Sequence, residues 1–274
     1  IAFRIQNSII RYTTSRMEEA TLDNLLGKSP RKLTHEEHDL IARAFLFAQK
    51  AHEGQNRMSG EPYFVHCYAT ASTLLSMNLD AETVAAGLLH DVVDDTSTTL
   101  EDIEKTFSKT IAFLVSGVTK LGTLKYRGME RHVENLRKMF LAMAKDIRVI
   151  FIKLADRLHN MQTLGHLPNR KHERIARETL EVYVPIADRL GIGELRGPLE
   201  DLAFEYVHPQ EYAWLKSEMS QLYERTEKHL TKLKPLIETA LRKENITLHS
   251  VHSRTKHYYS LYKKLQKYDM DFSQ

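Results

Sequence analysis

The chemistry-bearing residues of this chain concentrate in Leu88-Leu89-His90-Asp91-Val92-Val93-Asp94-Asp95-Thr96, where a His-Asp pair ends an apolar run and two more carboxylates follow. On a helix, positions three and four apart are neighbours, so His90, Asp91, Asp94 and Asp95 would crowd toward one side. Three carboxylates that close repel one another unless a positive charge sits among them, and a divalent cation answers that need. Elsewhere, His66 stands upstream and Asp156 downstream, in Lys153-Leu154-Ala155-Asp156-Arg157-Leu158-His159-Asn160. The order His…His-Asp…Asp is a set of two imidazoles and two carboxylates. It suits Mn, Fe, Zn or Ni better than Mg, which prefers oxygen alone.

With 14 histidines in the chain, order alone does not single out a site, and a lone His66 reads more readily as a satisfied core or surface histidine than as a ligand. The His90-Asp91 pair is harder to dismiss, because burying it without a partner is costly. Ile186-Ala187-Asp188-Arg189-Leu190 echoes the segment around Asp156. Asp156, Asn160 and Thr163 are spaced to make one polar stripe along a helix, able to hold metal and then substrate. Beyond Asp188 the stripe would meet Gly191 and Gly193, so Asp156 is taken as the ligand and Asp188 as structural.

The elements that must position these residues read as helices from about residue 34 to 243. Thr34 with Glu37 and Thr99 with Asp102 are capping patterns, and Asp80 is placed to cap a helix running through Val84, Leu88 and Val92. Pro62 opens the helix of His66. Gly117, Gly122 and Gly128 mark a loop with Thr119, Lys120, Lys125 and Arg127, equally a cover for an anionic ligand or a solvated surface loop. Helices are expected around Val133–Met143, over Asp146–Leu164, and over His172–Leu190 with a kink at Pro185. A long charged helix is expected from about Gln210 to Lys243, interrupted by Pro235. Ile246–Ser253 alternates as a strand does, and a basic, tyrosine-rich helix follows from about His257 to Lys267. The tail, with Arg254 and Lys256 among its cations, resembles a nucleic-acid stacking surface or an amphipathic helix with snorkelling lysines.

Composition bounds the function classes. Of 274 residues, 42% are hydrophobic and 27% charged, the profile of a globular protein. A net charge of +3 argues for no particular polyanion. The single Cys67 rules out an internal disulfide and fits a reducing cytoplasm. No apolar run approaches the ~18–20 residues needed to cross a bilayer, so no membrane partner is expected. Residues 1–16 are basic and free of acids, faintly like a transit peptide, and read better as an added or upstream-translated segment.

Four stretches together resemble the hydrolase half of RelA/SpoT-type enzymes, a branch of the HD phosphohydrolases. They are Gly60-Glu61-Pro62-Tyr63-Phe64-Val65-His66, Leu89–Thr96, Gly117-Val118-Thr119-Lys120-Leu121, and Lys153–Met161. The resemblance runs from about Leu40 to the end. It implies an all-α helical bundle, with a short strand-helix remnant of an α/β synthetase domain at the C-terminus. The implied organisation is an N-terminal segment over 1–30, the hydrolase domain over 31–207, a helical linker over 208–245, and the start of a synthetase domain over 246–274. It also implies removal of the 3′-pyrophosphate from ppGpp and pppGpp with Mn²⁺, giving GDP or GTP and pyrophosphate. Matched position by position, His66, His90, Asp91 and Asp156 are metal ligands, and Asp94 and Asp95 act on the attacking water. Arg57 lines the nucleotide site, and Asn160 and Thr163 lie near ribose and base. Synthesis of alarmone is not expected from these residues, nor a ribosome contact. Three departures stand out: Asp94 where the family usually has Glu, Met58 where Lys is common, and Gln162 where Arg is common. They leave open a module that binds alarmone and turns it over poorly, or an HD phosphohydrolase of other specificity.

Overall fold

The computed structural model describes residues 20–122, 137, 141, 144–244, 246 and 256–268. Its helices are α1 (Leu22–Leu26), α2 (His35–Ala51), α3 (Phe64–Ser76), α4 (Ala81–Leu89), α5 (Val92–Asp95), α6 (Leu100–Thr106), α7 (Lys109–Gly122), α8 (Arg148–Gln162), α9 (Asn169–Glu178), α10 (Val184–Arg189), α11 (Gly193–Val207), α12 (Pro209–Lys243) and α13 (Tyr258–Leu265). The architecture is all-α. Among the described residues the sole β feature is a bridge between Asn56 and Pro62. No described helix is long and apolar enough to cross a membrane.

Helix α4 is the axis of the bundle. Every residue in it except Glu82 is buried, and it packs on α2, α3 and α7, while α8 packs on α3. Its small residues allow that closeness: a Cβ built on Gly87 would press on Leu74 Cδ1 and lie 3.6 Å from the Ala71 Cα. Leu88 and Leu89, both fully buried, each contribute about 1.5–3 kcal/mol of hydrophobic stabilisation. The caps expected at Thr34, Asp80 and Thr99 form, the first and last as full capping boxes.

Four expectations are corrected. The helix through Val84 and Val92 does not continue; it ends at Leu89, and a separate turn begins at Val92. The cause is the His90 side chain, whose Nδ1 lies 2.8 Å from the Gly87 carbonyl, the acceptor a continuing helix would give to the Asp91 N–H. Gly117 is helical, not part of a loop, because its bare Cα lets α7 close on Val149, whose Cγ2 lies 2.8 Å from where a Cβ would stand. The single helix expected over His172–Leu190 is instead split into α9, a π-helical turn over Thr179–Tyr183 and α10, with Pro185 in the first turn of α10, where its missing N–H is tolerated. Pro235 does not interrupt α12, which runs through it on an exposed stretch where a freed carbonyl can meet water.

The helix expected around residues 133–143, the strand expected over 246–253 and Arg254 lie outside the described residues, apart from helical residues 137 and 141 and the non-helical Ile246. The tyrosine-rich helix does form, as α13. It packs on α11 and α12, burying Tyr262 and Leu265 against Phe204, Leu215 and Met219. Lys263 and Ser260 meet the buried Glu200, and His257 and the Tyr259 N–H meet Asp201. Its aromatic face is therefore spent on packing rather than offered for stacking.

Candidate metal centre and cleft

Two helices and the break between two others converge on one cluster. His66 comes from the first turn of α3, His90 and Asp91 from the break between α4 and α5, and Asp156 from the middle of α8. The His66 Nε2 lies 3.2 Å from the His90 Nε2, 3.3 Å from Asp156 Oδ1 and 3.4 Å from Asp91 Oδ2. The His90 Nε2 lies 3.2 Å from Asp91 Oδ2 and 4.0 Å from Asp156 Oδ1. One ligand atom each from His66, His90 and Asp156 falls within 4.8 Å of the others, and all three residues are buried.

The surroundings orient these donors. His90 Nδ1 lies 2.8 Å from the Gly87 carbonyl, and the neutral tautomer that donates there turns a lone pair at Nε2 into the cluster. His66 Nδ1 lies 2.8 Å from His159 Nδ1, so the tautomer that donates there likewise frees its Nε2. Asp156 receives the Lys153 ammonium on Oδ2 at 2.6 Å and the Asn160 amide on Oδ1. Two inward imidazole nitrogens beside the buried Asp156 and half-buried Asp91 carboxylates are a borderline-metal donor set, and the cluster fits a divalent ion.

Charge among the cluster's own side chains is balanced internally. Burial alone would lower the His90 pKa, but Asp91, Asp156 and the Gly87 carbonyl outweigh it and raise it to about 9. Burial pushes the Asp91 and Asp156 carboxyls up; His90 and His66 bring Asp91 well below its ordinary value, and Lys153 with the same histidines does so for Asp156. Lys153 is raised in turn, Asp156 and Tyr183 overcoming its burial.

Above the cluster opens a cleft of about 410 Å³, lined by Arg57, Met58, Tyr63, Lys153, Asp156, Arg157, Asn160, Thr163 and the apolar Leu164, Leu167 and Ile175, among others. Arg57 is carried by a tight loop in which Gly54 and Gly60 take positive φ of 76° and 83°, a conformation that favours glycine. Its guanidinium donates to Asn160 Oδ1 at 2.6 Å and lies 3.2 Å from His159 Nδ1. Arg157 lies over the Tyr183 ring at 4.0 Å, where the π turn delivers that ring. Asn160 and Thr163 continue the Asp156 stripe along α8, as their spacing predicts, and the Thr163 hydroxyl donates to the His159 carbonyl at 3.0 Å.

Asp94 and Asp95 sit exposed on α5. Burial raises the Asp94 carboxyl, with Asp91 and Asp95 adding to the rise against Thr119 and Lys153. Asp188 stands apart, paired with Arg196 at the surface. Three residues escaped the sequence reading: Lys153, His159 and Tyr63, whose hydroxyl lies between Asp91 and Asp95. Lys153 had a signal, its position three residues before Asp156. His159 has the same spacing on the other side, and nothing in the sequence distinguished it.

A helical bundle that gathers imidazoles and carboxylates beneath a basic cleft defines a metal-binding helical domain. The HD domain family profile matches residues 44–193, more than half of the chain. This chain belongs to that family. Its relatives include a protein of Escherichia coli strain K12 named bifunctional (p)ppGpp synthase/hydrolase SpoT, 48% identical over 226 residues, which are 82% of this chain and 32% of that protein. A Myxococcus xanthus protein named GTP pyrophosphokinase is 43% identical over 240 residues, 86% of this chain and 32% of that one. The chain thus spans about a third of the length of these curated relatives. A solved structure described as a metazoan ortholog of SpoT that hydrolyzes ppGpp aligns with a TM-score of 0.48 and 25% identity, covering 64% of this chain and 97% of the other.

Proposed function

We propose that this chain is a Mn²⁺-dependent hydrolase of the 3′-pyrophosphate of ppGpp and pppGpp, returning GDP or GTP and pyrophosphate. The observation that carries it is the approach of His66, His90, Asp91 and Asp156, the last of which lines a cleft together with Arg57, Lys153 and Asn160. Relatives named as guanosine-3′,5′-bis(diphosphate) 3′-pyrophosphohydrolases, 46% identical in Haemophilus influenzae and 43% in Vibrio cholerae, support the substrate.

When bound, a divalent ion supplies a water of lowered pKa and positive charge beside the phosphorus. The chain does the rest. Water oxygen adds to the phosphorus on the ribose 3′ oxygen, the bond to that oxygen breaks so that it departs with the nucleotide, and the proton the water gives up ends on it. We assign the relay of that proton to Asp94 and Asp95, the exposed carboxylates that follow Asp91. Arg57 and Lys153, preset by their hydrogen bonds, face the charge that builds on the pyrophosphate. Asn160 and Thr163 border the nucleoside end, where Leu164, Leu167 and Ile175 supply apolar wall. The unpaired, buried Cys67 fits a reducing cytoplasm as the working compartment.

A second reading, an alarmone-binding module with weak turnover, draws on Met58, which lines the cleft 68% exposed where a cation would help hold phosphate. Incubation with ppGpp and Mn²⁺, with and without chelator, separates the two by pyrophosphate release. We expect release that needs the ion, abolished by Asp91→Ala and Asp156→Ala and retained by Asp188→Ala. Tight ppGpp binding without release from the wild type would overturn the enzyme reading.

A further inference from the structure

The Tyr63 side chain is held on several sides. Its ring stacks on His52 with centroids 4.8 Å apart and planes 17° from parallel, and Arg57 lies 5.7 Å from its centroid on the cleft. Its hydroxyl is 2.9 Å from Asp91 Oδ2 and 2.6 Å from Asp95 Oδ2. That Asp91 oxygen is the same atom that faces His66 and His90. Behind Asp95, Gln55 donates its amide to the Asp95 carbonyl at 2.9 Å, and its Oε1 lies 2.8 Å from His52 Nδ1. The Tyr63 N–H closes the frame on the Gln55 carbonyl.

We propose that Tyr63 is a positioning residue that ties the metal-ligand carboxylate of Asp91 to the water-facing carboxylate of Asp95. The proposal rests on the ligand and water roles given above. A phenol carries one proton, so it can be donated fully to only one of the two carboxylates at a time. Without an ion, Asp91 and Asp95 compete for it. An ion that draws on the charge of Asp91 makes that oxygen the poorer acceptor and shifts the proton toward Asp95. Occupancy of the cluster is thereby linked to the orientation of Asp95, through one hydroxyl. His52 and Gln55 keep ring and backbone fixed while the proton changes partner.

Tyr63→Phe removes the hydroxyl and keeps the ring beside Arg57. Groups that orient metal ligands from behind cost about 10–100-fold in ion affinity or activity when removed. We expect Mn²⁺ affinity, measured by competition with a chelator, to weaken about tenfold, and kcat to fall at saturating Mn²⁺ while KM for ppGpp stays within about twofold. Gln55→Ala keeps the Tyr63 hydroxyl on Asp91 and loses the support of the Asp95 carbonyl and of His52, so it should lower kcat and leave Mn²⁺ affinity within about twofold of wild type. Tyr63→Phe with Mn²⁺ affinity and kcat both within about twofold of wild type, or a defect confined to KM, would overturn the proposal. Should circular dichroism show Tyr63→Phe unfolded, Gln55→Ala decides: unchanged kcat, or a loss of Mn²⁺ affinity, counts against the tie. The affinity comparison needs no substrate, so it stands or falls separately from ppGpp hydrolysis.

Discussion

Replacing Lys153 with Met tests the charge balance of the cluster. Lys153 Nζ and Asp156 Oδ2 are 2.6 Å apart, with side chains 14% and 6% exposed, so water screens the pair little. Met fills a similar volume without charge and leaves Asp156 buried with one cation fewer. Breaking a buried pair by removing one partner costs about 3–5 kcal/mol. Asp156 keeps its contacts with His66 and Asn160, which places the expected loss at the lower end, about 3 kcal/mol. At roughly 2–4 °C per kcal/mol for a domain of this size, the melting temperature in chelator should fall by about 6–12 °C. Mn²⁺ should then rescue the variant more than the wild type, because the carboxylate no longer shares its charge with an ammonium. Thermal unfolding of both proteins across a Mn²⁺ titration measures both effects. An ion-free melting temperature within about 2 °C of wild type, or a smaller Mn²⁺-induced rise in the variant, would refute the reasoning.

Two further outcomes are expected. Gly87→Ala drives a methyl into Leu74 and Ala71 and should destabilise by about 1–3 kcal/mol, despite the better helix propensity of alanine, as a lower urea midpoint at unchanged slope. Glu37 is lowered from its ordinary 4.5 to about 2, by the Arg31 side chain first and then the Thr34 N–H. A depressed carboxylate contributes its stability above pH 4.5 and loses it as pH falls through about 2, so Arg31→Ala should flatten that part of the acid-unfolding curve.

What the sequence disclosed depended on the range of the interaction. The caps at Thr34, Asp80 and Thr99 rest on bonds spanning three residues, and they formed as read. The break at His90 depends on which way one imidazole turns, and apolar periodicity carries no record of that. Gly117 read as a loop residue because glycine weakens helices, yet here the missing Cβ lets α7 close on Val149, a partner 32 residues away in the chain (149 − 117). At the site, residue type and order offered His66, His90 and Asp156 only as candidates in a chain of 14 histidines, and the family resemblance singled them out. Tyr63 was passed over because a tyrosine in a mostly apolar stretch reads as core until its hydroxyl is seen between two carboxylates.

That hydroxyl also separates two residues that the sequence could only pair. Asp94 and Asp95 are adjacent, chemically identical and both exposed, yet they are constrained differently. Asp95 is held at its side chain by Tyr63 and at its carbonyl by Gln55, and both contacts lead back to the end of α2. The Asp94 carboxylate instead feels Thr119 of α7, along with its acidic neighbours and Lys153. One carboxylate thus answers to the frame that carries Arg57, and the other to α7. Asp94 is also the position where the family resemblance implies a longer Glu, so a shortened side chain would fall on the member of the pair without the tyrosine tie. If reach to the water sets the rate, Asp95 is the pre-aimed proton acceptor, and the placement of α7 governs how much Asp94 adds.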